Sequence, residues 1–188
     1  MLNQLQPKMT VDEFLDWAEA EANDYELIYG RVYARSPERL HHVEAKGETY
    51  SALRVAIIAA GAPCRAYVDG VTIRIDGATA FRPDVLVRCG NPLDGNMVEI
   101  PDPLIVVEVT SPSTRNNDGG VKFSGYFGVP SVQHYLLIDP DGRVVVHHRR
   151  DGDEIQSRIV GHGSLSLDPP GLDLAVGDLL GPEADDTP

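Results

Sequence analysis

Two short strings of this sequence place an acid where an acid is costly. Asp84 lies in Arg82-Pro83-Asp84-Val85-Leu86-Val87, and Glu108 in Ile105-Val106-Val107-Glu108-Val109-Thr110. A carboxylate buried among β-branched and aliphatic residues needs a partner to offset its lost hydration. The two acids are 24 positions apart on separate apolar segments, so a shared metal ion is one such partner. Lys122 follows Glu108 by fourteen positions. Two acids and a lysine are the smallest set for metal-assisted phosphodiester hydrolysis, in which the metal activates water and the ammonium offsets charge.

The elements that must hold these residues can be read from periodicity and punctuation. Thr10-Val11-Asp12-Glu13 has the form of a capping box and predicts a helix to about residue 20, with Phe14, Leu15 and Ala18 buried. Residues 25–28 and 31–34 flank Tyr29-Gly30 and predict a hairpin. Ser36-Pro37 predicts a second helix over 38–60, with Val43, Tyr50, Leu53 and Ile57 as its stripe. The period then shortens to two. Asp69-Gly70 predicts a tight turn pairing 64–68 with 71–75, and Asp76-Gly77 a further turn. Residues 84–87 and 104–109 read as strands, the latter apolar enough to be buried on both faces. A short helix is expected over 117–127, then strands at 132–138, 144–148 and 154–160. This order predicts an α/β fold: a mixed central sheet flanked by helices, an N-terminal helix and hairpin, and a C-terminal β-meander.

Composition narrows the classes. The 188 residues suffice for one core, expected over 9–180, with residues 181–188 as an acidic, disordered tail. No apolar run is long enough to span a membrane, and the N-terminus has no secretory pattern, so a cytoplasmic protein is expected. Cys64 and Cys89 lie in no CxxC pair and read as two buried thiols. The formal net charge of −13 argues against tight, sequence-independent binding to nucleic acid. It leaves room for an enzyme that meets nucleic acid at one local patch, with Arg82, Arg115, Lys46 and Arg54 as candidates for its rim.

The acid strings and the order of elements resemble the PD-(D/E)XK nuclease superfamily, and more closely its Uma2 group of restriction-endonuclease-like proteins. The resemblance is carried by Tyr25-Glu26-Leu27-Ile28-Tyr29-Gly30, Ser36-Pro37 with His42, Arg82-Pro83-Asp84, and Val107-Glu108-Val109-Thr110-Ser111-Pro112-Ser113-Thr114. It continues through Asp118, Lys122, Tyr126, Gly128-Val129-Pro130 and Asp139-Pro140. It implies a restriction-endonuclease-like core and a Mg²⁺- or Mn²⁺-dependent endonuclease acting on DNA rather than RNA. Asp84 and Glu108 would be the metal ligands and Glu26 a further catalytic acid. Thr110 stands where the superfamily usually has its lysine, and the Uma2 pattern supplies Lys122 from the next helix instead. His42, Arg82 and Arg115 would meet substrate. Cutting two strands makes a homodimer the natural expectation.

Plainer readings stand beside these. Asp84 could bind loop amides, Glu26 could pair with Arg31 across its hairpin, and Lys122 could be a solvated helix lysine. Tyr126 reads as core, and His134, His147 and His148 as ordinary strand residues, the last two on opposite faces. No histidine stands at triad spacing from Ser111-Pro112-Ser113-Thr114, and no Walker lysine follows Gly119-Gly120. The alternative to an enzyme is a catalytically silent nuclease scaffold serving as a binding or assembly module.

Overall fold

Apolar strands at the centre and half-polar ones at the edge order the larger of two main sheets. The computed structural model describes residues 8–21, 24–110 and 118–181. In chain order the elements are α1 (Val11–Ala18), β1 (Tyr25–Ile28), β2 (Arg31–Ala34), α2 (Leu40–Ala60) and β3 (Cys64–Val68). There follow β4 (Ile73–Arg74), β5 (Ala80–Phe81), β6 (Val85–Cys89), β7 (Pro103–Val109) and a π-helical turn at Asp118–Lys122. That turn runs into α3 (Phe123–Gly128), then β8 (His134–Asp139), β9 (Val144–Asp151), β10 (Glu154–Val160), β11 (Ser164–Leu167) and β12 (Leu172–Ala175).

The large sheet has the order β10-β9-β8-β7-β6-β3, and the small one β2-β1-β5-β4. In the large sheet β7 and β8 are parallel and the other neighbours antiparallel, so the sheet is mixed as expected. The link from β7 to β8 carries α3, which is the crossover that parallel neighbours require. β7 is buried along almost its whole length, as its composition demands. One face of the sheet packs on α2 and the β11–β12 hairpin through Leu53, Ile57, Val85, Val107 and Leu165. The other face packs on α3 through Leu86, Val106, Tyr126 and Tyr135.

Several expectations hold in detail. Thr10 caps α1 with its hydroxyl accepting from the Glu13 amide, and Glu13 reaches back to the Thr10 amide at 2.8 Å. β1 and β2 pair around Tyr29-Gly30, with Ile28 opposite Arg31. Three expectations are corrected. First, α2 begins at Leu40, with Arg39 extended as its N-cap, and Pro37 disfavours helical backbone at Ser36. Its buried stripe runs through His42, Ala45, Lys46, Thr49, Leu53 and Ile57, while Val43 faces outward.

Second, Asp69-Gly70 turns the chain but joins no hairpin. β3 pairs with β6, and the chain then crosses to β4 in the other sheet. Both turn residues have positive φ, the hairpin-type geometry their types favour, but β6 occupies the paired side of β3. Third, Cys64 and Cys89 face each other in the β3–β6 register and form a disulfide. They are not separate thiols, so they give no argument for a reducing compartment. No helix among the described residues is long and apolar enough to cross a membrane. The acidic tail expected at 181–188 lies, beyond Gly181, outside the described residues.

Candidate functional site

Both acids come from the middle of the large sheet, where the chain has little freedom. Asp84 immediately precedes β6 and Glu108 is the sixth residue of β7, on the strand that pairs with β6. They are 1% and 3% exposed, so each must be paired. Both line a cavity of about 450 Å³ that also takes in β1, β2, the start of α2 and Lys122.

Around Glu108, Lys122 reaches Oε1 at 2.9 Å and Glu26 Oε1 at 3.0 Å, placing one ammonium between two carboxylates. The Tyr126 hydroxyl donates to the same Glu108 oxygen at 2.6 Å. Burial first, and then the facing carboxylates of Glu108 and Glu26, push the Tyr126 hydroxyl well above its ordinary pKa, so it stays a donor. Glu26, on β1, also accepts the Arg82 backbone N–H at 3.0 Å, which ties the small sheet to the segment leading into Asp84. Arg31 is not its partner.

Around Asp84, Arg35 donates to Oδ1 at 2.6 Å and the Val109 amide to Oδ2 at 2.7 Å. Lys46 approaches Oδ1 at 3.3 Å and His42 Nε2 approaches Oδ2 at 3.4 Å. Burial works to raise the Asp84 carboxyl, but His42, Arg35, Lys46 and the Val109 amide outweigh it and hold it well below the usual carboxylate range. Burial likewise works against the charge of Arg35, yet Asp84, Glu108 and Glu26 keep it fully charged. Lys46 holds Glu38 at 2.7 Å and Asp69 at 2.9 Å. Burial opposes its charge too, and Asp84, Asp69 and Glu38 together raise its pKa.

Two ion-paired groups thus face one cavity. Among the described residues, Glu26 and Glu108 against Lys122 leave a formal charge of −1. Glu38, Asp69 and Asp84 against Arg35 and Lys46 leave another −1. The buried carboxylates Glu26, Asp84 and Glu108 give the cavity the hard oxygen donors that a divalent cation takes. A buried His42 Nε2 that makes no hydrogen bond fits the same need for a ligand.

The structure brings Asp84, Glu108, Lys122, Glu26 and His42 around this one cavity. Arg82 points elsewhere: its guanidinium pairs with Asp24 at 2.7 Å and it does not line the cavity. Arg115 lies outside the described residues. Of the other rim candidates, Lys46 is buried, and Arg54 lies over the Tyr50 ring. Sequence reasoning missed Arg35, Glu38 and the hydroxyl of Tyr126. Arg35 had a signal, because residues 31, 33 and 35 alternate onto one side of the hairpin, and Tyr33 lies opposite Glu26. Glu38 had one as well, four positions before His42. Tyr126 carried only its place in the family pattern, four positions after Lys122, since a tyrosine in an apolar helix reads as core.

Comparison with known proteins places the whole arrangement in context. The chain is 30% identical over 178 residues to "Uncharacterized protein slr1290" of Synechocystis sp., covering 90% of each. It is 27% identical over 149 residues to "Uncharacterized protein sll1609" of the same organism, covering 77% of this chain and 82% of the relative. Among solved structures, the fold is similar to that of a "putative nuclease belonging to DUF820" from Anabaena variabilis, with a TM-score of 0.72 and 20% identity, covering 92% of this chain and 97% of that one. The family model described as "Putative restriction endonuclease" matches residues 11–177, from the first residue of α1 to beyond β12, and by that match the chain belongs to the Uma2 family.

Proposed function

We propose that the chain is a Mg²⁺- or Mn²⁺-dependent nuclease that hydrolyses DNA phosphodiester bonds, working as one domain over 9–180 and pairing as a homodimer to cut two strands. The observation that carries this reading is the pair of buried carboxylates, Asp84 and Glu108, on adjacent strands and facing one cavity with Lys122. The family's description as a restriction endonuclease favours DNA over RNA.

In this reading Asp84 and Glu108 offer the metal their hard oxygens. A bound divalent cation supplies a Lewis acid and lowers the pKa of its water. Lys122 would supply positive charge to offset the negative charge that develops on the scissile phosphate. Glu26 holds Lys122 from the far side, so the ammonium cannot swing away with Glu108 alone. Tyr126 fixes the Glu108 oxygen, and Arg35 fixes Asp84.

The test is cleavage of DNA and RNA panels in Mn²⁺ by wild type, Asp84→Asn, Glu108→Gln and Lys122→Met. We expect wild type to cut DNA and each variant to lose about 10²–10³-fold in rate, as when a preorganised charge is removed. Full activity in both acid variants sinks the assignment. A second reading, a silent scaffold that binds a partner, is favoured by one observation: the described cations nearest the acids are already spent on them, in a molecule of net charge −13. No cleavage of any substrate, with metal bound, selects it.

A further inference from the structure

The cavity contains a second grouping, which shares only Asp84 with the metal pair above. Glu38, His42 and Asp84 each bring one ligand atom within 4.8 Å of the others. His42 Nε2 is 3.4 Å from Asp84 Oδ2 and 3.9 Å from Glu38 Oε1. The His42 side chain is only 9% exposed, and its Nε2 makes no hydrogen bond. The buried ring nitrogen faces two carboxylates at ion-pair distance but makes a hydrogen bond to neither, which leaves it open to a better ligand partner.

We propose that Glu38, His42 and Asp84 form a cation site that takes borderline transition ions, Mn²⁺, Co²⁺ or Zn²⁺, in preference to Mg²⁺. The inference deepens the reading above, and rests on it only in taking a divalent cation as the ligand.

Ligand spacing supports the site. Metal–ligand bonds of about 2.1 Å put neighbouring ligand atoms about 3.0–3.4 Å apart. The His42–Asp84 separation already lies in that range, and Glu38, 3.9 Å from the His42 nitrogen, has to close by half an ångström or more. Donor chemistry sets the selectivity: imidazole suits Zn best, Co and Mn are first-row ions that bind a mixed N/O site with falling affinity in that order, and Mg²⁺ prefers oxygen and keeps its water.

Lys46 is the competitor. Its ammonium contacts both oxygens of Glu38 at 2.7 Å, and it cannot share Glu38 with an incoming dication. Asp69, at 2.9 Å, gives that ammonium somewhere to stay when it yields Glu38. Arg35 keeps Asp84 Oδ1 while His42 faces Oδ2, and only its 3.5 Å contact with Glu38 Oε1 has to lengthen when Glu38 turns to the metal. Oδ2 already accepts the Val109 amide and keeps a second lone pair for a metal. Lys46 is thus a displaceable counter-ion that stands where the metal enters.

The test is calorimetric titration of the full chain with MnCl₂ and, separately, MgCl₂, together with electron spin-echo spectroscopy of the Mn²⁺-loaded protein. The variants are His42→Ala, Lys46→Met and Glu108→Gln, each checked for folding by circular dichroism. We expect Mn²⁺ to bind at least tenfold more tightly than Mg²⁺, with nitrogen modulation of the Mn²⁺ signal. His42→Ala should abolish that modulation and weaken Mn²⁺ at least tenfold, Lys46→Met should tighten it, and Glu108→Gln should change the modulation little. If His42→Ala binds Mn²⁺ like wild type, with no nitrogen coupling in either, and Glu108→Gln abolishes binding, this site is refuted while the nuclease reading survives. If nitrogen coupling is present but no nucleic acid is cut, the site stands and the nuclease reading falls. If wild type binds neither ion at millimolar concentration, the site is refuted outright.

Discussion

Lys122 sits between Glu26 and Glu108, and its removal would leave two buried or nearly buried carboxylates facing each other without their shared ammonium. Breaking a buried charge set from one side typically costs about 3–5 kcal/mol. We therefore expect Lys122→Met to lose about that much stability in metal-free buffer, read by urea denaturation. Millimolar Mn²⁺ should return part of the loss if a dication can take over the charge. Unchanged stability in the absence of metal would mean that the ammonium carries no structural burden. The same scale explains what could be read in advance. Glu108 stood out because six apolar or β-branched neighbours made its burial certain and its charge anomalous. Lys122 did not stand out by itself, and only its distance from Glu108 in the family pattern marked it. Arg35 and Glu38 carried local signals of which face they share, but their partners, Asp84 and Lys46, are set by tertiary folding rather than by those signals.

At the scale of elements, α3 is the part whose placement leaves least room. A Cβ on Gly125 would come within 2.5 Å of the Phe81 ring, so α3 can lie this close to β5 only because residue 125 has no side chain. Lys122 and Tyr126 flank that glycine, and both point at Glu108. Gly125→Ala should therefore cost about 1–3 kcal/mol by overpacking and move both groups away from Glu108. The measurement is thermal denaturation alongside Mn²⁺-dependent cleavage, and loss of stability with cleavage intact would separate packing from aim. The wholly apolar β7 and the β1–β2 hairpin with its Tyr-Gly turn were legible in the sequence. α2 was only half legible. Its N-terminal half buries His42, Lys46 and Thr49, so polar residues occupy positions where an apolar stripe is normally sought. β3 was misassigned because the partner of a strand depends on the rest of the sheet, and a local Asp-Gly turn does not determine it.

For the molecule as a whole, pH is the variable that reaches furthest, and it acts first at a pair remote from the acids. His134 Nε2 meets the Pro169 carbonyl oxygen at 2.9 Å, and a carbonyl only accepts, so Nε2 carries the hydrogen. Its bare Nδ1 then accepts from His147 Nε2 at 2.9 Å, and His147 Nδ1 accepts from Arg158 Nε at 3.3 Å. Both rings are thus neutral in the fold. Burial brings His134 down from 6.5 to about 4, and burial with its neighbour brings His147 to about 3. The unfolded chain takes up these protons near pH 6.5 and the folded chain does not until about 4 or below, so the stability is complete above 6.5 and lost as pH falls through that window. The His134 shift alone corresponds to about 3 kcal/mol. Below the usual carboxylate range Asp84 adds a second loss, because its depressed carboxyl must at last be protonated. Urea midpoints at pH 7 and 4.5 should diverge for wild type and draw together when both histidines are replaced by glutamine. Parallel curves would remove the pair from the account.

The acids and their lysine are drawn from widely separated stretches of chain: Glu26 from the small sheet, Asp84 and Glu108 from the large one, Lys122 from the turn before α3. During biosynthesis at about 5–20 residues per second, several seconds pass between the appearance of Glu26 and that of Lys122. β7 must then wait for β8 before its second edge is covered. Throughout that interval the nascent polypeptide has every reason to collapse but no assembled hydrolytic centre. If the proposed nuclease activity holds, it can therefore arise only after β7, β8 and the turn bearing Lys122 are in place.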